Sequence, residues 1–114
     1  MQNAFAMEPK IPIREKGKNT EYVPVSAIEY LEAGRAYCIF HYKNKPQKTV
    51  SGSLKEYFDL IPAGIFCKVH RSFAVNIDEI AWYDNHHFLI MKSGASIPIS
   101  EEGKNALRET GFIL

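Results

Sequence analysis

The chain has 114 residues and is 46% hydrophobic, the size and composition of one domain with a modest core. Six Tyr, seven Phe and one Trp argue against a disordered chain, and no apolar run nears the roughly 18 residues needed to span a bilayer. A net charge of +1 does not by itself advertise a nucleic-acid binder.

Met1 to Pro9 lacks the basic start and apolar stretch of a secretory signal. It reads as a flexible leader or linker end, with the domain running from 10 to 114. Lys10 to Arg14 is extended, and Pro12 suits an edge strand. Glu15-Lys16-Gly17-Lys18-Asn19 is a turn. Glu21 to Val23 resumes a strand that Pro24 stops. Ile28 to Ala33 is a short apolar run, broken by Gly34-Arg35. Tyr37 to Tyr42 is rich in aromatic and β-branched residues and reads as a strong strand. Lys43 to Pro46 turns the chain, and Lys48 to Val50 returns.

Ser53-Leu54-Lys55-Glu56 has the form of a capping box and opens a helix. Leu54, Tyr57, Phe58 and Ile61 share its inner face, and Pro62 and Gly64 end it. Phe66 to Ile80 then starts apolar, breaks at Lys68-Val69-His70-Arg71-Ser72, and becomes apolar again. Ile80 to Asp84 is a strand, Asn85-His86 a turn, and His87 to Met91 the returning strand. Ser93-Gly94 turns once more and Ser96 to Ile99 is the last strand. Ser100 caps a final helix whose first turn holds Glu101 and Glu102, where the helix dipole favours negative charge. Gly111 is its stop. Many short strands and two short helices predict a mainly β architecture of antiparallel hairpins. Cys38 and Cys67 lie inside strands and read as buried thiols of a cytoplasmic protein.

Charge is unevenly placed. Residues 34–72 hold Arg35, Lys43, Lys45, Lys48, Lys55, Lys68 and Arg71 against Glu56 and Asp59, a net of +5, between acidic flanks. Such a chain can present one basic face while staying near neutral. The bland alternative is that these lysines are solvated hairpin tips. Lys68, His70, Arg71 and Ser72 fall within five residues, and core packing does not call for them. A surface gripping an anion would use them. Alternatively, His70 bonds a neighbouring carbonyl and Arg71 pairs with Asp78 or Glu79. Asn76, between Val75 and Ile77, is a polar residue in an apolar run and reads as the holder of a local turn.

Catalysis finds little support. There is no glycine-rich phosphate loop, nucleophile elbow or helical His-Glu-x-x-His, and no carboxylate completes a triad with His70 and Ser72. His41, His70, His86 and His87 are the candidates for a metal, but adjacent residues on a strand point to opposite faces, so His86 and His87 read as turn and strand surface. No catalytic residue, metal or cofactor is expected.

Phe66-Cys67-Lys68-Val69-His70-Arg71-Ser72-Phe73-Ala74-Val75-Asn76-Ile77, with Ile80 beyond, resembles the signature of the LytTR family of bacterial DNA-binding domains. Ile97-Pro98-Ile99-Ser100 is similar to that family's second motif. Val25 to Ala33, Tyr37 and Ser53 to Glu56 fit as well, so the resemblance covers about Lys10 to Leu107. It implies an elongated, mainly β domain of small antiparallel sheets with two short helices. Such domains bind double-stranded promoter DNA, with loops in successive major grooves, as homodimers on paired repeat sites. Most are output halves of two-component response regulators, behind a receiver domain.

The resemblance implies three DNA-contacting segments. Arg35 and Tyr37 lie near the first base-reading position. Lys68 and Arg71 would meet phosphates, assisted by His70 and Ser72, with Lys43, Lys45 and Lys48 as further phosphate candidates. Ser100, Glu101 and Lys104 form the third. There the chain departs from the family, because Glu101 stands where many members carry Arg. A carboxylate repels phosphate, though it can accept from cytosine N4. The sequence shows no receiver domain, so the expectation is a stand-alone regulator or an output domain of a longer protein. The alternative is a module of the same fold that docks on another protein and does not bind DNA.

Overall fold

The computed structural model describes residues 8–14, 19–84, 87–112 and 114. The first seven residues of the expected leader, residues 15–18 of the expected turn, and the expected Asn85-His86 turn lie outside them. The described strands are β1 (Lys10–Arg14), β2 (Thr20–Pro24), β3 (Ile28–Ala33), β4 (Tyr37–Tyr42) and β5 (Lys48–Ser51). After helix α1 (Leu54–Leu60) come β6 (Phe66–His70), β7 (Phe73–Asn76), β8 (Ile80–Asp84), β9 (Phe88–Met91) and β10 (Ser96–Pro98). Helix α2 (Glu101–Glu109) closes the fold.

These strands form three antiparallel sheets: β1-β2, β5-β4-β3-β7-β6 and β10-β9-β8. The expected mainly β fold of small antiparallel sheets with two short helices is what the chain adopts. The pairing that no local hairpin announces is β3 with β7, which sets Leu31 opposite Ala74 and Glu32 opposite Phe73. It places the two halves of the central sheet side by side. Two short 3-10 turns, Val25–Ala27 and Ile77–Glu79, have no counterpart in the hydrophobic spacing, because three residues are too few to show a period.

Strand alternation divides the core in two. Leu31, Cys38, Phe40, Val50 and Ala74 pack beneath α1 and the β1-β2 hairpin, against Ile11, Ile13, Val23, Leu54 and Tyr57. Cys67, Val69 and Val75 pack with Leu89, Met91, Ile97, Ile99 and Leu107, which come from the β8–β10 sheet and α2. The capping box at Ser53 is formed in both directions: Glu56 N–H donates to Ser53 Oγ, and Ser53 N–H donates to Glu56 Oε1. Asn76 is buried. Its Nδ2 donates to the Ile28 carbonyl at 3.0 Å and its Oδ1 accepts the Asp78 N–H at 3.1 Å, so one side chain ties the start of β3 to the turn after β7.

One boundary differs from expectation. The break at Lys68 to Ser72 is not a five-residue loop. β6 runs through to His70 and only Arg71 and Ser72 turn the chain. Val69 is the reason. It is fully buried, so the strand must keep going to place it in the second core.

Cys38 and Cys67 are buried free thiols. Burial pushes Cys38 up to about 12 and Cys67 up to about 11, so both stay protonated at neutral pH. Iodoacetamide at pH 8 should label neither in the folded protein and both in guanidinium, read by intact mass. Leu107 is fully buried under the second core. Leu107→Ala should lower unfolding free energy by about 2–5 kcal/mol in a denaturant titration.

Candidate nucleic-acid interface

Three segments named from sequence meet at one end of the central sheet. The first is the β3–β4 turn. Gly34 N–H donates to the Tyr37 carbonyl at 2.8 Å, closing the turn that exposes Arg35. The Tyr37 ring lies so close over Gly34 that a Cβ there would come within 2.1 Å of it. Tyr37 is thereby fixed while 42% of it stays exposed. The second is the β6–β7 turn. Ser72 accepts the Ala33 N–H at 2.8 Å through its carbonyl, which joins this turn to the first.

The third segment, the start of α2, is joined to the second through the Val69 carbonyl. β6 bulges between Lys68 and His70, so Val69 has no residue opposite it on β7. Its carbonyl instead accepts the Ser100 N–H at 3.0 Å and the Ser100 hydroxyl at 3.3 Å. Ser100 Oγ also accepts the Gly103 N–H at 2.9 Å, capping the helix. Gly103 packs straight onto β6: a Cβ at that position would sit 1.9 Å from the Val69 oxygen. Only glycine permits this approach.

Between turn and helix lies a groove of about 290 Å³, lined by Lys68, His70, Arg71, Ser100, Glu102, Gly103 and Ala106. An adjoining hollow is bounded by His70, Arg71, Ser100, Glu101 and Glu102. Lys68 and Arg71 are exposed, and neither pairs with a carboxylate among the described residues. The expected alternative of Arg71 bound to Asp78 or Glu79 is not what the structure has; Glu79 faces Lys43 instead. His70 Nδ1 accepts the Ser72 N–H at 3.1 Å. A neutral ring in that bond carries its proton on Nε2, which leaves one donor free.

Other candidates fall elsewhere. Lys43 and Lys45 follow β4, which is six residues long, so they lie roughly 20 Å away at about 3.4 Å per residue, and Lys48 sits opposite Phe40 at about half that distance. They are also engaged: Lys43 sits 3.5 Å from Glu79, while Lys45 and Lys48 sit 3.9 and 2.9 Å from Glu21. Lys45 further covers the Tyr42 ring at 4.4 Å. Lys104 is buried and its ammonium is held by Glu101 at 3.0 Å. The same bond keeps the Glu101 carboxyl below its ordinary range and raises Lys104. Lys104 does not line the groove. Among the described histidines, His41 Nε2 is 2.8 Å from Glu32 and its ring stacks on Tyr30 at 4.0 Å. The described residues contain no cluster of three metal-ligating side chains.

A profile of the LytTr DNA-binding domain matches residues 18–111, most of the chain. The chain belongs to the LytTr DNA-binding domain family. A solved LytTr DNA-binding domain from a Bacillus cereus protein described as a methyl-accepting/DNA response regulator superposes with a TM-score of 0.73 at 26% identity, covering 94% of this chain and all of that one. Sensory transduction protein LytT of Bacillus subtilis is 37% identical over 65 residues, which is 54% of this chain and 27% of that protein. Transcriptional regulatory protein YpdB of Escherichia coli is 28% identical over 91 residues, 75% of this chain and 37% of that protein. LytT of Enterococcus faecalis is 26% identical over 109 residues, 83% of this chain and 45% of its own length. The LytTr chain described here thus spans less than half of each of these curated relatives.

Sequence reasoning missed Gly103 and Glu102 in this LytTr domain. Gly103 had a readable signal: glycine inside a short helix usually marks a close packing contact. Glu102 had none, because only the helix phase tells it apart from Glu101. Gly103→Ala should force α2 off β6 and cost about 1–3 kcal/mol of stability, visible as a lowered Tm in thermal unfolding.

Proposed function

We propose that this LytTr domain binds double-stranded DNA sequence-specifically and regulates transcription in a bacterial cytoplasm. The observation that carries this reading is the meeting of Arg35, Lys68 and Arg71 at one end of the sheet, with no carboxylate partner among the described residues, beside the start of a helix. Cations left unpaired on an otherwise neutral chain suit a polyanion. Regulator relatives and the family's name support the same reading. They also support a role that is binding and not catalysis.

In this reading Lys68 and Arg71 hold phosphates, Arg71 through its planar fork. The free His70 Nε2–H and the backbone N–H groups at the start of α2 add donors. Ser72 shapes the turn. Ser100 gives its one hydroxyl proton to Val69, so it contributes the placement of the helix and not a phosphate contact. Arg35 and Tyr37 project from the neighbouring turn toward a base edge. Lys104 acts indirectly, by holding Glu101. Phosphate contacts supply affinity and register, and base contacts supply discrimination. Binding as a homodimer on paired repeats, with a receiver domain or regulatory partner in a longer parent protein or another chain, belongs to the same proposal.

A protein-docking role is the second reading. It is favoured by Trp82 and Phe88, 56% and 39% exposed on one face of the β8–β10 sheet. Salt dependence separates the two. Two phosphate-binding cations give a slope of about −1.8 in log K against log salt, roughly a 12-fold loss between 50 and 200 mM. Fluorescence anisotropy on duplexes selected from a random pool should show this. Arg71→Ala should weaken binding at least about tenfold, near 1.4 kcal/mol, with an unchanged Tm and a slope shallower by about 0.9. A complex with a protein that ignores salt, with no DNA bound, would favour docking.

A further inference from the structure

The strands that border the three sheets are guarded in different ways. β1 and β2 carry Pro12 and Pro24, and β10 carries Pro98. β5 and β6 carry Lys48 and Lys68, and α2 packs on β6. Proline, lysine and a covering helix keep a free edge from pairing with another chain. β8 borders the β10-β9-β8 sheet and has no proline and no lysine. Ala81, Trp82 and Asp84 are exposed along it. A bulge at Ala81 leaves Trp82 to Asp84 in regular register with β9. Among the described residues no strand pairs with the other edge of β8.

The sheet face beside this edge is largely apolar. Trp82 stands opposite Ile90, Asp84 opposite Phe88, and Phe88 opposite Pro98, so alternation puts all five on one side. Trp82 and Phe88 are exposed there, while Leu89, Met91 and Ile97 fill the other side with core. Asp78 and Asp84 stand at the two ends of the strand, and neither carboxylate has an ion pair among the described residues. Glu79 is held by Lys43, and Lys92 lies across β8 from the free edge, where its N–H donates to the Glu79 carbonyl. We propose that β8 is a docking strand: an extended segment of another protein, apolar at alternate positions and basic at both ends, adds to its free edge as a further strand. Main-chain hydrogen bonds give such pairing its affinity, Trp82 supplies an aromatic anchor, and the two carboxylates select the ends. A second copy of this chain fits worse. Antiparallel self-pairing about Trp82 sets Asp84 of each copy opposite Ile80 of the other, near Asp78, and β8 has no cation to offset them. This rests on the docking reading above, and it shares no residue with the cation-lined groove.

The test pans random linear peptides displayed on phage against wild type, with Trp82→Ala as the counter-target. Trp82 is exposed, so the variant should keep its Tm. Enriched peptides should alternate apolar residues between Lys or Arg ends. Synthesised and labelled, they should bind Trp82→Ala at least about tenfold more weakly by fluorescence anisotropy. N-methylation of alternate amides, which removes strand hydrogen bonds, should weaken binding to wild type by about as much. Peptides that depend on Trp82 but lack alternation or basic ends, or that tolerate N-methylation, overturn strand addition and leave the docking reading standing. A Trp82-dependent dimer in sedimentation makes a second copy the occupant and overturns the proposal as well. No enrichment over the counter-target removes docking from this face, and the parent reading then fails with the proposal.

Discussion

One backbone oxygen joins the working parts of this domain. The Val69 carbonyl faces out of the ladder at the β6 bulge and takes both the N–H and the hydroxyl of Ser100. The turn bearing Arg71 lies two residues downstream of Val69, and α2 begins just after Ser100. Their separation is therefore set by hydrogen bonds and not by a flexible link. The buried Val69 side chain anchors the joint from below and Gly103 lets the helix settle on it. The proposed DNA contact would draw on such rigidity, because discrimination depends on placing a few groups to within a fraction of an ångström.

Charge is arranged around that joint by subtraction. The chain is nearly neutral, and its basic middle segment has seven cations. Away from these turns, Glu21 and Glu79 take up Lys43, Lys45 and Lys48. On α1, Asp59 takes Lys55. Arg35, Lys68 and Arg71 are the members of the segment left without carboxylate partners among the described residues, and they cluster at one end. Exposed ion pairs add little stability. Here their larger effect is on the shape of the field, since within this segment they cancel charge except where the LytTr fold gathers its turns.

Much of the fold was legible because it follows local rules. The capping box at Ser53, the cap at Ser100 and the alternation of Tyr37 to Tyr42 each state their structure within a few residues. Asn76 was legible as a turn holder from being polar in an apolar run, though its bond to Ile28, 48 positions away, was not. The candidate site was legible only in part. His70, Arg71 and Ser72 stood out by composition, yet Lys104 read like any other cation until its burial against Glu101 was seen.

By itself the sequence determined the family, the strand and helix order, and which segments carry charge, since each depends on neighbours along the chain. Tertiary structure alone decided which charges are free. It paired β3 with β7, set the hairpin lysines against Glu21 and Glu79, and gave Glu101 a partner in Lys104. The reason is physical: a side chain's availability depends on what long-range contact brings beside it, and residues tens of positions apart in sequence supply those contacts.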